Sequence, residues 1–256
     1  MIIDADVHIS PLTEYASNTN AEKLIGLMDE AGVDKAMCWV QRPYSRNRLD
    51  EILKYQYEAV KKYPDRLIGY GWVDPMLGVD VARDMIKRCL NDYGFYGIKF
   101  NGCQNEHFND DPVLVEPLIE EIIKANSTLA FHTGADAPEL THPYRLMHIA
   151  KKFPELKILM VHMGGASFHD LSHAAIEVAK ECPNVYLIGS GIRTYPIIKA
   201  VKTLGAGRVC FGSDTPFEWM KVEVARYNTM LEGLVTEEEK DKIMYKNIAD
   251  VIGLKL

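Results

Sequence analysis

The chain lacks several features that would have pointed to other classes of protein. There is no C-x-x-C pair, and the 5 cysteines are an odd number scattered as Cys38, Cys89, Cys103, Cys182 and Cys210. That distribution argues against a disulfide framework and against a cysteine-ligated structural zinc, and it fits small core residues in a reducing compartment. Only Cys103, beside a predicted strand end, stands out as a thiol to test for reactivity. There is no basic run or patch, and the formal net charge is -7, which excludes nucleic acid and anionic membrane as expected partners. No apolar run reaches membrane-spanning length, and the first residues have neither the basic region nor the apolar core of a signal peptide. The expectation is a cytoplasmic protein with a small-molecule substrate. Linkers and low-complexity stretches are also absent, so 256 residues with 47% hydrophobic content are available for one large core.

What is present is alternation. Short apolar, β-branched runs occupy residues 2–7, 35–40, 67–73, 95–100, 128–133, 157–163, 185–189 and 208–213. Amphipathic stretches separate them, clearest where Val115, Leu118, Ile119, Ile122 and Ile123 recur at helical spacing. Ala82, Met85, Ile86, Cys89 and Leu90 repeat the pattern, as do Leu171, Ala174, Ala175, Val178, Ala179 and Cys182. Gly32, Pro64, Pro154 and Pro183 fall where helices should stop. Eight strand–helix units predict a single-domain α/β fold over residues 1–256, a (β/α)8 TIM barrel. An open doubly wound sheet would usually carry a glycine-rich phosphate turn after its first strand, and S-P-L-T-E-Y stands there instead.

In such a barrel, function gathers where the strands end. Asp6 and His8 close the first strand, Asp74 follows the third, Lys99 and Asn101 close the fourth, His132 the fifth, His162 the sixth and Asp214 the eighth. Asp6 and His8 are two apart, which in a regular strand puts both on one face, with Asp4 one step deeper as a hydrogen-bonded support. Two histidines and two carboxylates, Asp6, His8, His132 and Asp214, make an N/O ligand set suited to Zn²⁺, Mn²⁺ or Fe²⁺. Such an ion acidifies a bound water or polarises a carbonyl. His169 and His173, four apart, make a weaker candidate for a second metal site. His148 reads as structural, while His107 and His142 fall in loops that either line the pocket or face solvent.

These residues carry a resemblance. I-I-D-A-D-V-H, G-F-Y-G-I-K-F, L-A-F-H-T-G, F-P-E-L-K-I-L-M-V-H-M-G-G and V-C-F-G-S-D-T-P-F occur in order along nearly the whole chain. In these stretches the sequence resembles the amidohydrolase superfamily, in the amidohydrolase-related branch that holds aminocarboxymuconate-semialdehyde decarboxylase-like enzymes, hydrolases and lactonases. The resemblance implies that His8, His132 and Asp214 ligate one divalent metal, Zn²⁺ first and Mn²⁺ second. It places His162 beside the ion as an acid/base group or extra ligand, and gives Asp214 a second role in proton transfer. The family usually begins His-x-His; Asp6 stands at the first of those positions, adds negative charge and favours harder ions such as Mn²⁺.

The function expected from this reading is a metal-dependent hydrolase acting on a small anionic ester, lactone or amide. A non-oxidative decarboxylase built from the same residues is the alternative, and a barrel that only binds a metal or ligand is a third. His162 and Asp214 are the expected catalytic groups, with Arg42, Lys99 and Arg193 as anion receptors for substrate. Lys99 either binds a substrate carboxylate, pairs with a neighbouring acid or is carboxylated. Tyr55 and Tyr57 are expected at the surface, where a homo-oligomer would use them.

Overall fold

Strand and helix alternate because runs buried on both faces alternate with stretches buried on one. The computed structural model describes residues 1–11, 19–40, 46–134, 136–165 and 171–256. Within them run β1 (Ile3–Ile9), α1 (Ala21–Ala31), β2 (Lys35–Val40), α2 (Leu49–Lys62), β3 (Leu67–Gly69), β4 (Gly71–Trp72), α3 (Val79–Lys87) and β5 (Gly97–Phe100). There follow α4 (Gly102–Asn105), α5 (Glu116–Lys124), β6 (Thr128–His132), α6 (Pro138–Thr141), α7 (Pro143–Lys152), β7 (Lys157–Val161), α8 (Ser172–Glu181) and β8 (Val185–Ile188). The chain ends with α9 (Thr194–Leu204), β9 (Val209–Cys210), α10 (Met220–Leu231), α11 (Glu237–Asp241) and α12 (Asn247–Ile252).

All paired strands are parallel, in the order β1-β2-β3 and then β4 through β9. The barrel closes where the segment after β9 meets β1: Ala5 N donates to Phe211 O at 3.1 Å, Asp214 N to Asp6 O at 2.8 Å and His8 N to Thr215 O at 2.8 Å. The expected barrel is therefore present, with the strand ends on one face. The helices bury the stripes that the periodicity marks, for example Leu118, Ile119 and Ile122 of α5. Gly32 ends α1 in the left-handed conformation, its N–H turned back on the last turn.

Two details depart from a regular pattern. The predicted third strand, 67–73, is split into β3 and β4 at Tyr70. There the Gln56 side chain donates to Cys38 O at 2.6 Å, an oxygen that also accepts from Tyr70 N at 3.2 Å, and to Tyr70 O at 2.8 Å. In β1, Asp4 pairs with Ala36 but Val7 pairs with Cys38, so an extra residue bulges between them. The simple alternation expected of Asp4, Asp6 and His8 is broken at that point. The expectation for Tyr55 and Tyr57 is also revised: both are half-buried within the fold. Tyr55 Oη accepts from Ala21 N at 2.9 Å, and Tyr57 stacks on Tyr93. Among the described residues no helix is long and apolar enough to cross a membrane.

Candidate metal centre

Every residue of β1 is buried, so its two carboxylates and its histidine need partners inside the barrel. Asp4 finds them in backbone: its Oδ1 accepts from Asp6 N at 3.1 Å and Ser213 N at 2.9 Å. This pins the bulge to the segment that carries Asp214 and bears out the supporting role expected of Asp4. His8 donates from Nδ1 to Val40 O at 2.8 Å, which leaves the lone pair on Nε2. That Nε2 lies 3.6 Å from Asp6 Oδ1 and 3.5 Å from Asp214 Oδ1, and it accepts from the Trp39 indole N–H at 3.0 Å.

Asp6 is held on its other side. Its Oδ2 accepts a short hydrogen bond from the Ser190 hydroxyl. Because that proton goes to Asp6, His162 Nδ1, 3.1 Å from Ser190 Oγ and 3.2 Å from Ser190 O, acts as a donor and its Nε2 keeps the lone pair. His162, Met163 and Asp214 all adopt left-handed backbone, at φ 66°, 51° and 63°. For non-glycine residues this costs about 1–3 kcal/mol each, and such strain is typical of residues aimed by a loop at a functional site. Gly191, at φ 58°, completes the packing: a side chain there would sit 3.1 Å from both Asp214 Oδ2 and His162 Nδ1.

Three of the four expected ligands thus converge, with one atom each from Asp6, His8 and Asp214 within 4.8 Å of one another. His132 is adjacent but turned elsewhere. Its ring centre is 4.8 Å from that of His162, while its Nε2 lies 3.0 Å from both oxygens of Asp136. Asp136, in the loop after β6, was not legible as a site residue because it closes no strand. The same is true of Trp39 and Ser190, which reach the site as neighbours of the histidines.

Lys99 is fully buried, with Nζ 3.9 Å from Asp6 Oδ1 and 3.5 Å from the centre of the Trp39 ring. It pairs with a neighbouring acid, one of the roles expected of it. Arg193 is exposed and lines a cavity of about 470 Å³ with Gly191, Glu218 and Arg226. Arg42 lies outside the described residues, as does His169. His173 meets Lys199, and His107 is buried rather than solvent-facing.

Burial sets the electrostatics. It lowers His8 to about 4, with the Lys99 charge acting in the same direction, and it lowers His162 as well. Lys99 falls to about 8 for the same reason, although Asp6 and Asp214 oppose the fall. Burial pushes Asp214 up to about 7, against the attraction of His162. Asp6 is buried too, yet the charges of Lys99, His162 and His8 hold it below the usual carboxylate range. Burial likewise raises Asp136, but hydrogen bonds from His132 and Cys103 together with the charges of His132 and His162 outweigh it and keep it ionised.

The donor set fits a divalent cation. A neutral imidazole nitrogen and two carboxylates face one point, and Asp6 Oδ1 is buried without a hydrogen-bond partner. The sequence profile of the amidohydrolase family matches residues 3–254. The chain belongs to the amidohydrolase family. It is 25% identical to a gamma-resorcylate decarboxylase of a Polaromonas species over 252 residues, covering 77% of each chain. Among solved structures it is similar to 2,6-dihydroxybenzoate decarboxylase from Rhizobium, with a TM-score of 0.79, 21% identity and 99% and 98% of the two chains covered. It is also similar to a dihydroxybenzoic acid decarboxylase from Polaromonas sp. JS666, solved with manganese and the inhibitor 2-nitroresorcinol, at a TM-score of 0.78, 21% identity and 99% and 97% coverage. This amidohydrolase thus shares its barrel with those structures, and the expected membership is established.

Proposed function

We propose that the protein is a metal-dependent, non-oxidative decarboxylase of a small aromatic carboxylic acid. The observation that carries the reading is the convergence of Asp6, His8 and Asp214 beside a buried ammonium, Lys99, in a chain similar to proteins named as decarboxylases of hydroxylated benzoates. The hydrolase expectation uses the same residues and draws less support from those likenesses.

Asp6, His8 and Asp214 would hold the ion, with His132 or His162 close enough to complete its surroundings after a side-chain turn. When bound, the ion orients the substrate's oxygen donors and withdraws electron density from them. Lys99 and Arg193 supply positive charge for the carboxylate and for the ring's oxygen substituents. Trp39 and Trp72, both buried, flank the Lys99 ammonium, with ring centres 3.5 and 5.4 Å from Nζ. Decarboxylation breaks one carbon–carbon bond, leaves the electron pair on a ring carbon and needs one proton there in exchange for carbon dioxide. Asp214, beside His162 at the same centre, is the group assigned to deliver that proton, with His162 as its relay.

The test is incubation of metal-loaded protein with hydroxylated benzoates, 2,6-dihydroxybenzoate among them, and with small lactones and esters, following carbon dioxide and acid release separately. Carbon dioxide from a benzoate is expected. Acid from a lactone or ester without any carbon dioxide would return the assignment to the hydrolase reading.

A further inference from the structure

We infer that Asp136 is a positioning residue of the metal centre: it holds the Nε2–H of His132, so that the Nδ1 lone pair is the one His132 offers to the ion. The inference rests on the ligand role proposed for His132 and not on the decarboxylase reading.

An imidazole that binds a cation through one nitrogen is oriented by the hydrogen bond of the other, and the acceptor there fixes both the tautomer and the ring angle. Three imidazoles at the strand ends follow that rule with different acceptors. His8 Nδ1 donates to Val40 O at 2.8 Å and His162 Nδ1 lies 3.2 Å from Ser190 O, both backbone carbonyls. His132, alone of the three, meets a carboxylate, its Nε2 lying 3.0 Å from both Oδ1 and Oδ2 of Asp136. An ionised carboxylate only accepts, so Nε2 is the donor and Nδ1 keeps the lone pair, the reverse of His8 and His162. An anionic acceptor also makes that remaining lone pair more basic and a better donor to a cation.

Both partners are anchored independently of their bond. Thr141 Oγ1 donates to Gly134 O at 3.1 Å and to Ala137 O at 2.9 Å, on either side of Asp136, and the Cys103 thiol gives the Asp136 carboxylate a second donor. Asn109 Nδ2 donates to His132 O at 2.9 Å, which ties down the end of β6. The His132–Asp136 bond is then the link that sets the ring. The ring so held stands 4.8 Å from that of His162, whose Nδ1 is 3.6 Å from Asp6 Oδ2, and it thus borders the Asp6, His8 and Asp214 cluster.

The test reads metal and nitrogen rather than turnover. Protein carrying ¹⁵N in its histidines and loaded with ¹¹³Cd²⁺ should show direct cadmium coupling at Nδ1 of His132 and at Nε2 of His8, the His132 signals being assigned by their loss in His132→Gln. Asp136→Asn should weaken Mn²⁺ binding about 10- to 100-fold in competition against a fluorescent chelator, and should remove the His132 coupling while that of His8 stays. Asp136→Glu, which keeps the charge, should recover most of the affinity. Cadmium coupling at Nε2 of His132 overturns the inference, and so does unchanged Mn²⁺ affinity in Asp136→Asn. Coupling at His8 with none at His132 overturns it too, because His132 would then lie outside the centre. A lowered melting temperature of the metal-free protein in Asp136→Asn and Asp136→Glu alike, with the His132 coupling kept in both, would make Asp136 a structural residue only.

Discussion

The indole N–H of Trp39 donates to Nε2 of His8 at 3.0 Å, on the lone pair that a cation would take. The same ring lies beneath the Lys99 ammonium at 3.5 Å. Trp39 therefore occupies the His8 lone pair and lays its ring against the buried Lys99 ammonium, and metal binding has to displace it from His8.

Trp39→Phe removes the competing donor and keeps an aromatic ring near Lys99. Metal affinity should rise by up to about tenfold, the equivalent of one hydrogen bond of about 0.5–1.5 kcal/mol. In the unsubstituted protein, metal addition should change tryptophan fluorescence, and most of that change should be lost in the variant. Competition against a fluorescent chelator measures the affinity; weaker binding in the variant would show that Trp39 supports the site instead.

Asp214→Asn and His162→Asn should separate holding the ion from moving the proton. Asp214 is assigned both tasks, so its variant should lose turnover and metal together. His162→Asn should lose turnover by roughly 100- to 10,000-fold, the usual range for an acid/base group, while retaining most of its metal. Elemental analysis beside steady-state rates decides the matter. Equal metal loss in the two variants would make His162 a ligand.

Gly212→Ala tests how tightly Asp6 is packed. A side chain at Gly212 would lie 2.7 Å from Ile188 Cγ2 and 3.1 Å from Asp6 Cβ and Ser190 Cβ. Relieving that overlap should cost about 1–3 kcal/mol of stability. It should also move Asp6 away from Ser190, lowering metal content in protein that still melts cooperatively. Denaturant unfolding and metal analysis check the two effects.

His107 gives a pH dependence that lies away from the centre. Burial holds it below the usual histidine range, even though it donates from Nδ1 to Phe108 O. As the pH falls below about 6.5, the unfolded chain takes up a proton at this residue before the folded protein does. Stability should therefore be full above that range and decline as pH drops, until the folded value is passed. His8 and His162 in metal-free protein act with the same sign. His107→Gln should reduce the decline by at most about 1.4 kcal/mol per pH unit, one proton's worth. Thermal melts of metal-free protein between neutral and mildly acidic pH would measure it; an unchanged slope would place the acid sensitivity elsewhere.

The barrel was legible because burial is periodic. A parallel strand covered on both faces must be a short apolar run, and a helix covering it must be apolar on one stripe, so Val115 through Ile123 announce α5 before any contact is known. The break at Tyr70 was not legible, because it lies where a glutamine from α2 reaches Cys38 O and Tyr70 O, a long-range contact with no mark in the local pattern. Asp6, His8, His132, His162 and Asp214 were legible as polar residues at the ends of apolar strands, where burial without a purpose is costly. Their partners were not. Ser190, Trp39 and Asp136 carry no such signal, being a serine and a tryptophan of ordinary kind and an acid in a loop, and of the neighbours only Cys103 stood out, by its place beside a strand end.

By itself, then, the sequence determined the alternation of strands and helices, the face on which polar groups collect and the kinds of donor gathered there, since each follows from local periodicity and from residue chemistry. Tertiary structure alone decided which donors meet. Barrel closure brings Asp214 of the last unit onto Asp6 and His8 of the first, while the loop after β6 turns His132 toward Asp136 and Cys103 instead. Those groupings depend on strand register, on a one-residue bulge and on loop paths, and such long-range distances have no counterpart in spacing along the chain.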